Sequence, residues 1–467
     1  MSLFRRLMEP ATQRLIDAIR PPEPVEEDET SSDELEHIRE LHILDLAMRT
    51  SELLLSTGAS ANDATVGLLR ITRAYGLRRV HADVTFTTIT VTHYRGPDTE
   101  PLTTSRVVTA RSTDYVRLQR LDDLLRLIED GSIDVDPALA RLNSIVLARR
   151  PYRPWVTTVA TAGLAVGLCM LFASSWVIVA CTAISSVLID RTVSYLGRKG
   201  LPPFFSNAVG AAIPTVIALL VGWGQAAGVP LLQHVRPHLV VATGIVILLA
   251  GMAVVGAAQD SLDGFHVTAS GRMFEVVVLT LGIISGVLGV LHLGNVLGLT
   301  LRLSTVMPGL GPYPVQLAGA LLIGASFAVM CYSGVRTVFW CALMSGLGWT
   351  GFFLSTTIGF GNVAASGAGA LVAALVSSPI ATRFRVPALA LTTSGIVPMM
   401  PGGVVYRGLL QTVQSQTHAE AIAGILGLGA AAGVGIALAA GSSLGTYLTR
   451  PVTQRLWRTG KRVSHAG

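Results

Sequence analysis

The chain has 467 residues, a mean hydropathy of +0.56 and only 14% charged residues, whereas a soluble domain carries about 25%. Residues 1–153 hold 20 basic and 24 acidic side chains, and residues 154–467 hold 15 basic and five acidic ones. This distribution excludes a wholly soluble protein and predicts a small soluble domain followed by a polytopic α-helical membrane block. Loop Arg and Lys residues explain the pI of about 9.4, so we expect no nucleic-acid partner.

Residues 1–32 combine a basic amphipathic N-terminus with a Pro-rich, acidic linker. The first stretch either rests on a membrane surface or is a frayed terminus, and the sequence favours neither. We expect the linker to be disordered up to about Ser31, because it is acidic and nearly without apolar residues.

Residues 33–153 are predicted to form a small cytoplasmic α+β domain, because helical periodicity is interrupted there by alternating apolar and polar residues. The predicted helices lie near residues 33–58, 60–75, 114–129 and 136–148, and the strands near 80–86, 88–94 and 103–111. Ser60, Asn62 and Asp63 could form a site, but we interpret them as the cap of the second helix. His81 and His93 lack a third ligand, and the four cysteines lie in predicted spans without metal-ligand spacing, so we expect no metal and no cofactor.

Residues 154–449 are predicted to cross the lipid bilayer ten times, because uncharged runs there are long enough for spans of about 20 apolar residues. The spans are placed near residues 155–172, 174–191, 205–223, 238–258, 274–297, 315–333, 336–355, 362–380, 386–410 and 420–447.

Loop charges predict the orientation of these spans. With the N-terminus in the cytoplasm, 15 Arg and Lys residues fall inside and only Arg236, Arg302 and Arg407 fall outside. This positive-inside bias predicts a multi-pass protein of the plasma membrane with both termini cytoplasmic.

The Pro/Gly-rich segment at residues 307–314 divides the ten spans into two fives. We predict five-helix halves at 154–305 and 306–449, followed by a basic cytoplasmic tail at 450–467. A repeated half with an odd number of spans must insert upside down, so the count predicts an inverted 5+5 repeat, as in secondary transporters.

A first candidate site follows the fourth predicted span. Asp260, Asp263 and Glu275 are three of the five acids after residue 153, and in a membrane such groups could bind an ammonium or relay protons. An ordinary solvated cytoplasmic loop is the other interpretation, and the sequence alone favours it.

A second candidate site lies inside the ninth predicted span. Pro398, Pro401, Gly402 and Gly403 are predicted to break this helix. The segment after Pro401 would present backbone N–H groups, and Arg407 one turn further would add a positive charge, which together suit a carboxylate. A simple kink with Arg407 reaching the outer headgroups is the alternative. The acids are expected near the inner face and the break near mid-membrane, so one site need not include both.

Three short stretches resemble one family. They are residues 55–60 with residues 74–77, the segment that holds Asp260, Asp263, Gly271, Arg272 and Glu275, and residues 397–402 with Tyr406 and Arg407. In this order, behind a soluble domain, they resemble the threonine/serine exporter (ThrE) family over about residues 40–447. The resemblance implies an inner-membrane exporter of L-threonine and L-serine driven by the proton motive force, and related two-protein systems that export small carboxylates leave the substrate open.

We therefore expect a secondary transporter of small amino acids, coupled to protons, rather than an enzyme. Export of small dicarboxylates such as succinate is one alternative. A membrane-anchored hydrolase or sensor that acts through the N-terminal domain is another, although ten spans exceed what an anchor needs. A homo-oligomer is left open.

Overall fold

The computed structural model describes residues 32–95, 100–108, 113–172, 174–233, 235–248, 251–299, 309–414 and 417–464. The predicted amphipathic N-terminus, the acidic linker up to Ser31 and the end of the basic tail lie outside this description. So does the first part of the Pro/Gly-rich segment at residues 307–314.

The N-terminal unit, residues 32–147, contains four helices and one three-stranded sheet. The helices are α1 (Ser32–Ser56), α2 (Ala61–Ala74), α3 (Tyr115–Glu129) and α4 (Val135–Leu147), and the strands are β1 (Val80–Thr85), β2 (Thr88–His93) and β3 (Leu102–Val107). The strands pair antiparallel in the order β1-β2-β3. The small α+β region expected from periodicity is thus confirmed, and Gly58 and Gly76, both at positive φ, follow α1 and α2 where turns were predicted.

The core of this unit continues into the membrane block. Leu44, Leu121 and Ile89 are buried at its centre. The same apolar cluster includes Cys331 and Leu391, which belong to the membrane block. The unit therefore packs directly on the membrane block.

The membrane block is built from helices that follow the predicted spans. They are α5 (Pro154–Leu171), α6 (Trp176–Arg198), α7 (Pro203–Ala226), α8 (His238–Leu248), α9 (Gly251–Leu262), α10 (His266–Val296), α11 (Tyr313–Met330), α12 (Val335–Thr357), α13 (Asn362–Phe384), α14 (Ala388–Ile396), α15 (Gly402–Gln414) and α16 (His418–Ser464). Within the described residues, nine helical segments are long and apolar enough to cross a membrane, and a tenth is added if α8 and α9 form one bent span. The polytopic α-helical fold is confirmed.

Span limits differ most from the prediction at two places. α10 begins at His266, ahead of the predicted residue 274, because a tight turn with Gly264 at positive φ joins it to α9. α16 continues to Ser464 rather than ending near residue 447.

Within the described residues, two spans are broken if α8 and α9 are counted as one span, and the two occupy matching positions. The fourth span consists of α8 and α9, which meet at an angle of 45°. The ninth consists of α14, a 3₁₀ turn at Val397–Met399, and α15. The predicted break at Pro398–Gly403 is therefore present, and the break in the fourth span was not predicted.

The packing of the spans repeats from one half to the other. In each half, the first span packs on the second, the second on the third, and the third on the fifth. The fourth span of each half also contacts the same four neighbours of its own half. The two broken spans touch each other at Val246 and Gly402, where a Cβ on the glycine would lie 2.7 Å from Val246 Cγ2.

Candidate functional site

Two cavities lie where the N-terminal unit meets the membrane block. The wider one, which we call the junction cavity, has a volume of about 660 Å³ and lies between α2, α3, the end of α9, the start of α14 and the middle of α16. Its charged lining residues are Asp63, Arg70, Asp122, Asp263 and Arg450. The cavity therefore offers both signs of charge to a ligand.

The narrower one, the deep cavity, has a volume of about 240 Å³. Both cavities are lined by Ser60, Gln259, Leu389 and Thr392. The deep cavity extends along α9 to Met252 and along α14 to Ile396, the last residue before the break in the ninth span. Pockets for drug-sized ligands measure about 300–1,000 Å³, so this cavity suits a smaller molecule. Together the two cavities lead from the N-terminal unit to the paired broken spans.

A buried ion pair forms part of the wall between the N-terminal unit and the deep cavity. Asp260 is 0% exposed and Arg272, which lines the deep cavity, is 7% exposed. Asp260 Oδ2 lies 2.9 Å from Arg272 Nη1, and Asp260 Oδ1 accepts a 3.0 Å hydrogen bond from the Ala61 N–H in the first turn of α2. The guanidinium fits against Gly256, where a Cβ would lie 2.9 Å from Nη1.

Further polar contacts fix the N-terminal unit to both halves of the membrane block. Thr268 Oγ1 at the start of α10 accepts from the Phe86 N–H at 2.9 Å and donates to the Val84 carbonyl at 3.2 Å. The buried Tyr115 hydroxyl shares a 2.7 Å hydrogen bond with Thr393 Oγ1 in α14. The first contact holds the first half and the second holds the half-span that leads to the break.

The broken ninth span places its predicted site residues away from the acids. Pro401 and Gly402 are buried, whereas Gly403 and Arg407 are half-buried. Gly402 contacts Val246 in α8, whereas Asp260 lies near the far end of α9, beyond the 45° bend. The structure therefore does not bring the residues predicted to bind a carboxylate, Pro401–Arg407, together with the acids.

The three predicted acids have different surroundings. Asp260 is buried, Asp263 is exposed and lines the junction cavity, and Glu275 is exposed one turn beyond Arg272 on α10. The interpretation of this stretch as an ordinary solvated loop is wrong for Asp260, because docking of α2 covers its carboxylate.

Several residues of the two cavities were not predicted as site residues. Ser60 caps α2 as expected, with its Oγ accepting from the Asp63 N–H at 3.0 Å, yet Ser60 and Asp63 also line the junction cavity. Arg272 could have been suspected, since a charged residue beside a long apolar run is costly to bury. Tyr115 and Thr393 carry no such signal in the sequence.

Burial shifts two acids at the junction cavity towards their neutral forms. Burial, opposed by Arg126 and Arg70, raises the pKa of Asp122 to about 6. Burial also raises the pKa of Asp263, helped by Asp63 and Asp260. Among the described residues, no group of three His, Cys, Asp or Glu side chains could hold a metal ion. The side chains that line the two cavities can recognise charge, form hydrogen bonds and exchange protons.

These features define a class of protein. A multi-pass bundle with two broken spans that touch, and cavities leading to them from one side, is the architecture of a membrane transport protein. A membrane anchor would require neither the breaks nor the cavities.

Comparison with known proteins gives the family. A family model described as "Putative threonine/serine exporter" matches residues 45–294, and a second, "Threonine/Serine exporter, ThrE", matches residues 316–447. A "Probable threonine/serine exporter" of Mycobacterium tuberculosis is 34% identical over 434 residues, which cover 91% of this chain and 80% of that protein. A "Threonine/serine exporter" of Corynebacterium glutamicum is 30% identical over 436 residues, covering 93% of this chain and 87% of that protein.

The chain belongs to the threonine/serine exporter family and is a multi-pass membrane amino-acid exporter. The boundary between the two family models falls between the two five-span halves. No solved structure matches the chain.

Proposed function

We propose that this protein exports L-threonine and L-serine across the plasma membrane, driven by the proton motive force, and that it is not an enzyme. The names of both relatives support these two substrates. Proton drive is part of the proposal because Asp63, Asp122 and Asp263 line the junction cavity, and burial raises the pKa of Asp122 to about 6.

One observation carries the proposal: the junction cavity and the deep cavity share lining residues and together reach the break in the ninth span. In transporters with repeated halves, substrate sites lie at the interface between the halves, next to discontinuous helices. Here the fourth and ninth spans are both discontinuous and touch at Gly402. In this proposal a substrate enters the junction cavity, passes the shared lining residues into the deep cavity, and there reaches Ile396 next to the break in the ninth span.

The direction of entry follows from the loop charges. Fifteen Arg and Lys residues against three favour a cytoplasmic location for both termini and for the N-terminal unit. The junction cavity then opens on the cytoplasmic side, as an exporter requires. In this arrangement the N-terminal unit forms one wall of the substrate entrance, which gives it a part in transport without catalysis.

Export of dicarboxylates such as succinate is the main alternative. Asp63, Asp122 and Asp263 line the entrance against Arg70 and Arg450. Three carboxylates at the mouth repel a doubly charged anion more than a zwitterion, which has no net charge. The lining of the junction cavity therefore favours amino acids.

The test is efflux from cells that express the whole chain and are preloaded with threonine, serine or succinate, with and without a protonophore. We expect threonine and serine to leave faster than from cells with an empty vector, and the protonophore to remove the difference. Loss of succinate alone would move the chain to carboxylate export. Loss of none of the three would contradict the proposed function.

A further inference from the structure

The buried Asp260–Arg272 ion pair costs free energy. Docking of the N-terminal unit on the membrane block does not by itself require it. Taking two charges out of water costs several kcal/mol per ion, and a well-packed apolar pair is often at least as stable. The neighbouring contact at Thr268 fixes the N-terminal unit to the same hairpin with neutral hydrogen bonds only. A charged pair at the wall of the deep cavity therefore calls for a role beyond attachment.

We propose that this ion pair is the recognition site for the zwitterionic backbone of the substrate. The substrate carboxylate would bind the Arg272 guanidinium and the substrate ammonium would bind the Asp260 carboxylate, so that the amino acid enters between the two side chains. This inference rests on the proposed function and names the site at which that function recognises its substrate.

Charge balance favours replacing the direct Asp260–Arg272 contact with contacts between each side chain and the substrate. A zwitterion inserted into an ion pair gives each charged side chain a new partner of the correct sign, and the net charge of the buried site stays at zero. A monocarboxylate without an amine would leave Asp260 without an opposite charge, and an amine without a carboxylate would do the same to Arg272. Leaving a buried charge uncompensated is strongly unfavourable, so both ends of the amino acid are required.

The position of the pair suits this role. Arg272 lines the deep cavity itself, and its guanidinium lies against Gly256, so no side chain on that face of α9 separates it from the cavity. Asp260 is held by the backbone N–H of Ala61, which fixes the carboxylate while Arg272 turns towards the substrate.

Hydroxyl groups line the rest of the deep cavity. They come from Ser56, Ser60, Thr113, Tyr115, Thr392, Thr393 and Ser442. Apolar side chains, among them Met252, Val255 and Phe327, and the amide of Gln259 also line it. Such a mixture suits a short side chain that has one hydroxyl and few carbon atoms, as serine and threonine do.

The test is direct binding to the purified full chain in detergent, measured by calorimetry with L-threonine, L-serine, L-threoninamide, 3-hydroxybutyrate and succinate. Asp260→Asn keeps an acceptor for the Ala61 N–H and removes the charge, and Arg272→Gln removes the other charge. The double variant Asp260→Asn/Arg272→Gln leaves no buried charge at the pair and keeps the comparison valid if a single variant fails to fold. Thr268→Val is the matched control, since it loosens the same docking hairpin without touching the pair.

We expect each charge variant, and the double variant, to bind threonine about 10- to 100-fold more weakly than the wild type. Asp260→Asn should also lose the preference for threonine over 3-hydroxybutyrate, and Arg272→Gln the preference for threonine over threoninamide. Thr268→Val should retain both preferences, because its cavity charges are intact.

Unchanged threonine affinity in the folded charge variants would overturn the inference and leave the proposed function standing. An equal loss in Thr268→Val, with both preferences kept in the charge variants, would also overturn it, because the pair would then only hold the unit in place. A wild-type protein that binds only succinate would contradict the proposed substrates, and with them the inference.

Discussion

Two acids near the junction cavity, Asp260 and Asp122, have different electrostatic surroundings. Asp260 has an ion pair with Arg272 and a backbone N–H donor from Ala61. Asp122 is half-buried beside Arg126 and Arg70, yet burial dominates and raises its pKa to about 6 from an ordinary value of 3.8. Asp122 therefore reduces the stability of the fold whenever it is charged, and residues with such costs gather at functional sites.

The first prediction concerns the substitution Asp122→Asn. A raised carboxyl pKa destabilises the folded protein only where the group is ionised, so the cost is absent below about pH 3.8, grows as the pH rises, and is complete above about pH 6. Asp122→Asn should therefore increase the stability of the full chain at pH 7.5 by up to about 3 kcal/mol and change it little at pH 4. Thermal unfolding of both proteins at the two pH values measures the difference. An equal change at both pH values would show that ionisation of Asp122 is not the cause.

At the scale of the elements, the two broken spans meet through a glycine. Gly402 begins α15 and leaves no room for a methyl group, because Val246 Cγ2 would lie 2.7 Å from its Cβ. The contact joins the fourth and ninth spans, which belong to different halves. A clash here should separate the two broken spans.

The second prediction is that Gly402→Ala destabilises the protein by about 1–3 kcal/mol, the usual cost of overpacking, and slows export. Adding Val246→Ala should restore most of both losses, since it removes the methyl groups that the new side chain meets. Gly429→Ala in α16 is the control, because a Cβ there meets nothing within 4 Å. Thermal unfolding and threonine efflux are measured for these three variants and the wild type. Equal effects of Gly402→Ala and Gly429→Ala would contradict the contact.

Sequence patterns predicted elements better than they predicted the site. Apolar periodicity predicted the helices and strands of the N-terminal unit, and Pro398 with Pro401 predicted the break in the ninth span. The bend between α8 and α9 carries no proline, and its apolar run reads as one continuous helix. The burial of Asp260 depends on Ala61, 199 residues away in the chain, so no local pattern could reveal it.

At the scale of the whole molecule, the N-terminal unit bridges the two halves of the membrane block. It binds the first half through Thr268 and the second through Thr393. In secondary transporters one repeat moves against the other around a fixed site. Such a movement must change at least one of these two contacts, so the unit is placed to limit or to follow the opening of the entrance.

The third prediction tests the contact with the second half. Tyr115→Phe and Thr393→Val should each destabilise the full chain by about 1 kcal/mol, because each removes one partner of a buried hydrogen bond. The double variant should cost clearly less than the sum of the two, since the second substitution has no hydrogen bond left to break. Thermal unfolding of the wild type, the two single variants and the double variant gives the coupling free energy between the two hydroxyl groups. Additive costs would show that the two hydroxyl groups do not interact.

The measurement that tests the central claim most directly is transport by the purified full chain in proteoliposomes that contain labelled L-threonine. A pH step that makes the outside acidic should accelerate release of threonine above protein-free liposomes, and a protonophore should abolish the acceleration. An excess of unlabelled serine should compete with the release of labelled threonine, and the same excess of succinate should not. Release no faster than from protein-free liposomes, under any gradient, would contradict the assignment of this chain as an amino-acid exporter.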